Sequence, residues 1–413
     1  MVLHQTDVSK TRLDQTMKRA KALAALRQLC CLGLNREVLI PEVLHALHAF
    51  IPSESNVFTG VNEHILPTFV ITEYVIPEVM EAVKSEWNRL YVEPYHARVL
   101  DWYNHHPMIT DLRILDDRFY RSDFYHTVFR PYKHYYRVQA KVCIHGAMVG
   151  GISLARSQHQ QPFDADEIQQ LRRLLPYLEH GLQAHNEPVV DYVDSGQTGL
   201  VILARNGSVV YLSDLARSLL FLAAYGTFPV GQGSSSPPVT VPPVLQQLCA
   251  NLDGIFQGWE APPPSFAHTN ARGRFVFRAY WLQPPTIHTG LDTAGYSPTD
   301  DGLIGVLIEH QEPLRLQLHR NLQGWRLSPR EQEVGLALAE GLSHTAIATR
   351  LNVSVQTVIT YVRRLYAKLE VHNRAELLDK LRTQAPNSIK IAWLLLLESA
   401  ICGWKFVESV FYL

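Results

Sequence analysis

Between Leu327 and Leu377 the chain sets out three helix starts, two stops and one long amphipathic run in a fixed order. Ser328-Pro329-Arg330-Glu331 supplies an N-cap hydroxyl, a proline suited to the first helical position and a glutamate where a capping box closes. Val334 and Leu338 recur on one helical face, and Gly341 ends it. Ser343 opens a second, short helix through Ile347 to Arg350. Asn352-Val353-Ser354 makes a tight turn whose last residue caps a third helix.

The third helix, Val355 to Leu369, carries the chemistry. Val355, Val358, Val362, Leu365 and Leu369 share one face at helical spacing. The opposite face holds Gln356, Thr360, Arg363, Arg364 and Ala367, which is polar, cationic and free of acids. A single α-helix fits the major groove of duplex DNA, where Arg and Gln reach guanine and adenine edges. Thr360 and Ala367 are small enough for close approach, while Lys368 and Arg374 are placed for phosphate, which fixes register without reading sequence. From Arg320 to Arg382 there are ten basic residues against six acidic ones, in a chain whose net charge is -1. Positive charge is therefore concentrated in this segment.

The segment resembles the helix-turn-helix of the LuxR/FixJ/GerE class of bacterial transcription regulators. The matching residues are Leu327, Arg330, Glu331, Glu333, Val334, Gly341, Ile347, Ala348, Leu351, Ser354, Thr357, Val358, Lys368, Leu369, Val371, Asn373, Arg374 and Glu376. The resemblance implies a four-helix unit over residues 327–382, a groove-docked third helix and dimeric binding of operator or promoter DNA. On that basis Gln356, Thr357, Thr360, Arg363, Arg364, Lys368 and Arg374 are the expected DNA-binding residues. Two departures stand out. His344-Thr345-Ala346 occupies the place of the family's Asn-Lys-Glu, and Thr357-Val358-Ile359-Thr360-Tyr361 that of its Thr-Val-Lys-x-His. A common phosphate-contacting lysine is thus Ile359, which places more of the binding on Arg363 and Arg364.

At 413 residues, 46% hydrophobic and 10% aromatic, the chain has ample apolar material for further domains. From Thr11 to Ala184 helical and strand signals alternate. Pro41 to Phe50 has helical spacing, Asn56 to Asn62 and Leu66 to Thr72 read as strands, and Val138 to Ile144 with Met148 to Ala155 as a hairpin around His145-Gly146. Asp164 opens a capped helix that Pro176 is expected to kink. The order of these elements is similar to GAF-like sensor modules, over residues 11–187. In residues 189–312 a hairpin across Arg205-Asn206-Gly207, a helix capped by Ser213 and strands Phe275 to Leu282 and Leu303 to Glu309 resemble a PAS-like domain. Gly226 to Pro243 and Gln283 to Asp301 read as loops, and residues 313–326 as a connector. The fold class expected is thus multidomain α+β: antiparallel-sheet modules followed by an all-α helix-turn-helix. In the tail, residues 383–413, the apolar run Ile391 to Leu397 stops at Glu398, short of the ~20 residues of a membrane span. A packing or dimer-contact helix is the first expectation for it, ahead of membrane contact.

The rings between Trp87 and Tyr136 are the best small-molecule signal, since such pockets are apolar with a few placed polar groups. Trp87, Tyr91, Trp102, Tyr120, Phe124 and Tyr136 are the ligand-pocket candidates; the equal alternative is that these rings fill a core. Nineteen histidines include His45 and His48 one turn apart, but neither HExxH nor a second ligand pair accompanies them, so no metal is expected. Cys30, Cys31, Cys143, Cys249 and Cys402 lack redox-motif spacing and read as reduced thiols. The N-terminus has no apolar signal core, so a cytoplasmic location is expected. No P-loop, Gly-x-Ser-x-Gly or Gly-x-Gly-x-x-Gly occurs, and no enzymatic activity or cofactor is expected. The expected function is a cytoplasmic transcription regulator, controlled by a small-molecule effector the sequence does not name. Its expected partners are duplex DNA and a second copy of itself, with RNA polymerase a further candidate. Two rivals stay open: a cofactor-binding or enzymatic sensor with an accessory DNA module, and a protein-interaction adaptor with impaired DNA binding.

Overall fold

The computed structural model describes residues 18–87, 97–98, 100–101, 104–105, 108–110, 116–183, 191–230, 241–283 and 302–383. The chain divides into two compact units, Met1–Pro313 and Leu314–Leu413. Tyr91, Trp102, the loop Gln283 to Asp301 beyond its first residue, Cys402 and the apolar tail lie outside the described residues.

The first unit holds two antiparallel sheets. One has the order β3-β4-β5-β1-β2-β8, with β1 Ser55–Val61, β2 Pro67–Thr72, β3 Met108–Thr110, β4 Tyr136–Ile144, β5 Ala147–Arg156 and β8 Phe228–Pro229. The β4–β5 hairpin turns through His145 (φ 50°) and Gly146 (φ 82°), two successive left-handed residues as a two-residue turn requires. Alternation splits the strands between two faces. Phe58, Ile71, Ala140, Ile152 and Leu154 face helices α2 Arg36–Leu47 and α5 Ala165–Gln183 and are at most 2% exposed. The other face is roofed by α3 Pro77–Trp87 and a single π-helical turn, Tyr125–Phe129. A helix over residues 18–30 (α1) and a one-turn α4, Asp117–Tyr120, also belong to this part.

The expected helix at Pro41 starts earlier, at Arg36, with Pro41 in its interior. Proline has no N–H, so the Glu37 carbonyl one turn back gains no intrahelical partner. Arg272 supplies one from far along the chain: its Nη1 donates to Glu37 O at 3.1 Å, while its Nε donates to Gly226 O at 2.8 Å. Burial pushes this guanidinium down to about 10, against the opposing pull of the Glu37 carboxylate, so it stays cationic at neutral pH. The same neighbourhood carries β8, which adds to β2 through Phe69↔Pro229 and Val70↔Phe228.

The second sheet has the order β7-β6-β11-β10-β9. Its strands are β6 Tyr192–Ala204, β7 Val209–Leu212, β9 Ser265–Asn270, β10 Gly273–Gln283 and β11 Leu303–Pro313. Val201, Leu203, Phe275, Phe277, Ile304 and Val306 pack one face against α6 Asp214–Ala224 and α7 Val241–Phe256. Gly199 makes that contact close: a Cβ there would sit 2.4 Å from Ala216 Cα. The sequence reading marks only the apolar half of β6, from Leu200; its polar half pairs along β11 through to Tyr192↔Pro313. It also reads Gly226 to Pro243 as loop, where β8 forms and α7 begins with Val241-Pro242-Pro243, prolines that a first turn tolerates. The mixed α+β class with a helical C-terminal region is as the sequence reading has it.

Arg272 and Pro41 should be energetically coupled. R272M is expected to destabilise the full chain by about 2–3 kcal/mol, because two carbonyls lose their donor. P41A restores an N–H to Glu37 O, so the same substitution in the P41A background should cost about 1 kcal/mol less. Denaturant unfolding of the four chains measures this, and additive effects would contradict the account.

Candidate nucleic-acid interface and an upstream cavity

The second unit is α8 Leu314–Gln323, α9 Pro329–Ala339, α10 His344–Leu351, α11 Val355–Leu369 and α12 Arg374–Thr383. The segment read as a connector is thus largely the first helix of this bundle, with Leu318 and Leu322 buried against it.

Ser328 Oγ accepts from Glu331 N at 3.3 Å and Glu331 Oε2 accepts from Ser328 N at 2.7 Å, closing the capping box. Glu331 does more than cap. Its side chain is 4% exposed, and Oε2 also accepts from Lys368 Nζ, near the end of α11, at 2.6 Å. Burial acts to raise this carboxyl; Lys368 and Ser328 outweigh burial and hold it below the usual range. Gly341 ends α9 at φ 97°, with Leu342 N donating to Ala337 O at 3.1 Å. Ser343 caps α10, and Asn352 ends it in the left-handed conformation, one that asparagine tolerates. Ser354 Oγ then accepts from Thr357 N at 3.1 Å to start α11.

Val358, Val362, Leu365 and Leu369 are buried between α11 and the other helices. Val355, expected on that stripe, is 39% exposed, because the first turn of α11 stands clear of the bundle. Gly335 sets the spacing of α9 and α11: a Cβ there would lie 3.3 Å from Leu365 Cδ2. The outward face shows Gln356, Thr360, Arg363, Arg364 and Ala367, all exposed. Among the described residues neither Arg363 nor Arg364 makes an ion pair. Thr357 is half-buried and turns its hydroxyl to Ser354 Oγ at 2.8 Å, so it belongs to the cap. Ile359 and Tyr361 are half-buried on the flanks of the face. Arg374 is exposed and packs over Gly341. One cap goes unread in the sequence: Asn373 Oδ1 accepts from Glu376 N at 2.9 Å while Glu376 Oε2 accepts from His372 N at 2.8 Å. Its signal is Asn-x-x-Glu, the same pattern as at Ser328 with asparagine as the cap.

In the first unit the roofed sheet face lines a partly open pocket of about 110 Å³. Of the six aromatic candidates, Trp87 lines it. Phe124 is buried behind Trp87, ring centroids 6.0 Å apart. Tyr120 and Tyr136 are half-buried outside the lining, each with its ring against Tyr135, tilted for Tyr120 and edge-on for Tyr136. Sequence reasoning missed the polar lining: His134, Arg137, Gln139 and Ser153. On paper Arg137 and Gln139 alternate like a solvent-facing side of β4; under the roof Arg137 is buried and Gln139 half-buried. Among the described residues no cluster of His, Cys, Asp or Glu is arranged to hold a metal. His48 instead bonds Glu73 and Ser53, each at 3.0 Å. No helix among the described residues is long and apolar enough to cross a membrane.

Residues 326–381 match the family described as bacterial regulatory proteins, luxR family. A putative HTH-type transcriptional regulator of Mycobacterium tuberculosis is 44% identical over 62 residues, which is 15% of this chain and 7% of that protein. A probable transcriptional regulator of Cyanophora paradoxa is 48% identical over 50 residues, 12% of this chain and 24% of that one. The chain thus spans less than a quarter of the length of either relative. Among solved structures, the VqsR ligand-binding domain of Pseudomonas aeruginosa is 17% identical, over 42% of this chain and 97% of that one, with a TM-score of 0.28. Residues 326–381 are a luxR-family helix-turn-helix domain.

The Glu331 contacts give a pH signature. A carboxyl held below its unfolded value contributes stability in full above that value and loses it as pH falls through the folded one. E331Q is expected to cost about 2 kcal/mol at pH 7. That gap should narrow steadily on acidification from pH 5 to 3, measured by denaturant unfolding of the full chain at each pH. A gap independent of pH would remove Glu331 from this role.

Proposed function

We propose that the chain is a DNA-binding transcription regulator. Its helix α11 enters the major groove as a dimer's half-site reader, and a small molecule sensed by the upstream unit controls it. The carrying observation is the outward face of α11, where Gln356, Thr360, Arg363 and Arg364 stand exposed with no acid among them. The structure of the helix ends supports this reading. Three serine caps fix where each helix begins, so this face is presented by a rigid bundle rather than by a loop. Arg363, Arg364 and Gln356 are proposed to contact base edges, and Arg374 phosphate. Lys368, held on Glu331, keeps α11 in place and has its remaining donors for phosphate. Thr357 acts through the cap. Two copies would set their recognition helices about 34–36 Å apart on DNA.

The upstream unit, read as residues 11–187 GAF-like and 189–312 PAS-like, is the proposed sensor. The support is its mostly apolar pocket and the polar groups that line it.

Binding is measured on the full chain with a fluorescent duplex chosen by genome-wide mapping of its bound DNA. R363A and R364A are each expected to weaken binding by about 10- to 100-fold. I359K, which puts back the family's lysine, should tighten it by about tenfold and steepen the salt dependence by about one unit of slope. Salt-dependent duplex binding that neither arginine substitution changes would sink the assigned face. No duplex binding at all would favour the adaptor reading.

A further inference from the structure

The cavity of the first unit has a built polar end. Its walls are largely apolar, formed by valines 57, 70, 79, 83 and 128 with Met80 and Trp87. Against them, β4 and β5 bring Arg137, Gln139 and Ser153 onto one sheet face, with Gln139 directly opposite Ser153 in the register. Arg137 is 4% exposed, and its guanidinium lies over the Phe129 ring at 4.6 Å. His134 and Ser153 are 6% and 8% exposed, and His134 Nε2 and Ser153 Oγ are buried with no hydrogen-bond partner in the protein. Burial pushes the His134 imidazole down to about 3, so it is neutral at physiological pH and offers either a donor or an acceptor. Leaving such groups unmet costs about 1–3 kcal/mol each.

A single water needs only about 10–15 Å³, and an apolar cavity of about 150 Å³ holds benzene. At about 110 Å³ the pocket is smaller than that, and its valine walls suit a short aliphatic body better than a ring or a chain of waters. Among the described residues that line it, one is cationic and none is acidic. An amine is therefore disfavoured, and a phosphate dianion would find too few donors among apolar walls. Resting on the proposed sensor role, we infer that this cavity binds a small monocarboxylate with a short branched aliphatic body. Its carboxylate is received by Arg137, Ser153 and His134.

The test is titration calorimetry on the full-length chain, without DNA, using isobutyrate, isovalerate and 2-methylbutyrate beside the amide of each. At least one acid should bind with Kd below about 1 mM and at least tenfold tighter than its amide. R137Q should remove that preference, and S153A, a smaller change to the fold, should weaken the acid severalfold. Bound acid should also change tryptophan emission in the wild type and not in W87F. No binding by any of the three acids, equal binding of acid and amide, or an unchanged preference in R137Q and S153A overturns the inference. Duplex titration of the same preparations separates the two readings. Carboxylate binding without duplex binding sinks the regulator and leaves the site, and the converse leaves the regulator and sinks the site.

Discussion

The helix-turn-helix depends on one buried carboxylate. Glu331 is almost wholly enclosed, and an ion in that position is tolerable only when its acceptors are met. Ser328 N and Lys368 Nζ both donate to its Oε2, one from the cap of α9 and one from the end of α11. The start of α9 and the last turn of α11 are thereby locked to one group. Because the buried stripe Val358, Val362, Leu365 and Leu369 fixes the rotation of α11 and Lys368 fixes its depth along the bundle, the outward face is determined by packing. DNA need not organise it. That preorganisation keeps the ordering cost of binding low.

The upstream unit shows the same logic on the backbone. Pro41 makes a carbonyl that its own helix does not use, and the chain answers with a guanidinium more than two hundred residues later. An exposed carbonyl would have been hydrated without cost; one among Leu39, Ile40 and Val43, all buried, needs a protein donor. Through Arg272 and the β2–β8 pair, the stretch around the second sheet is bound to the first. A sheet edge that takes a strand from a later segment is also an edge closed to other chains.

What could be read in the sequence was what is local. Ser328, Asp164, Ser213, Ser343 and Ser354 all cap helices as read, since a cap is decided within four residues. Hairpins were legible where apolar alternation and a Gly turn coincide, as at His145-Gly146. The polar half of β6 was not, because its pairing is set by β11 a hundred residues away. The cavity was half legible. Aromatic density pointed to the right stretch of chain, and Trp87 does line it. Most of the other described rings proved to be packing, and the polar lining sat on a strand whose alternation reads as exposed. Burial of Arg137 and Ser153 follows from the roof of α3 and the π-helical turn, which no period in β4 or β5 announces.

One departure from the family pattern and one internal contact bear on how the proposed binding divides between charge and shape. Ile359 removes one cation from the flank of α11, and Lys368 spends a donor on Glu331. Arg363, Arg364 and Arg374 then carry most of the positive charge this face offers a phosphate backbone. Each phosphate neutralised adds about 0.9 to the salt slope, so fewer contacts mean a shallower dependence and weaker non-specific binding. Specific contacts through Gln356, Arg363 and Arg364 do not shrink with it. On the proposed reading, such a face sacrifices affinity for random DNA before affinity for its operator, and the pairing of two copies on adjacent half-sites restores the avidity that the missing lysine withholds.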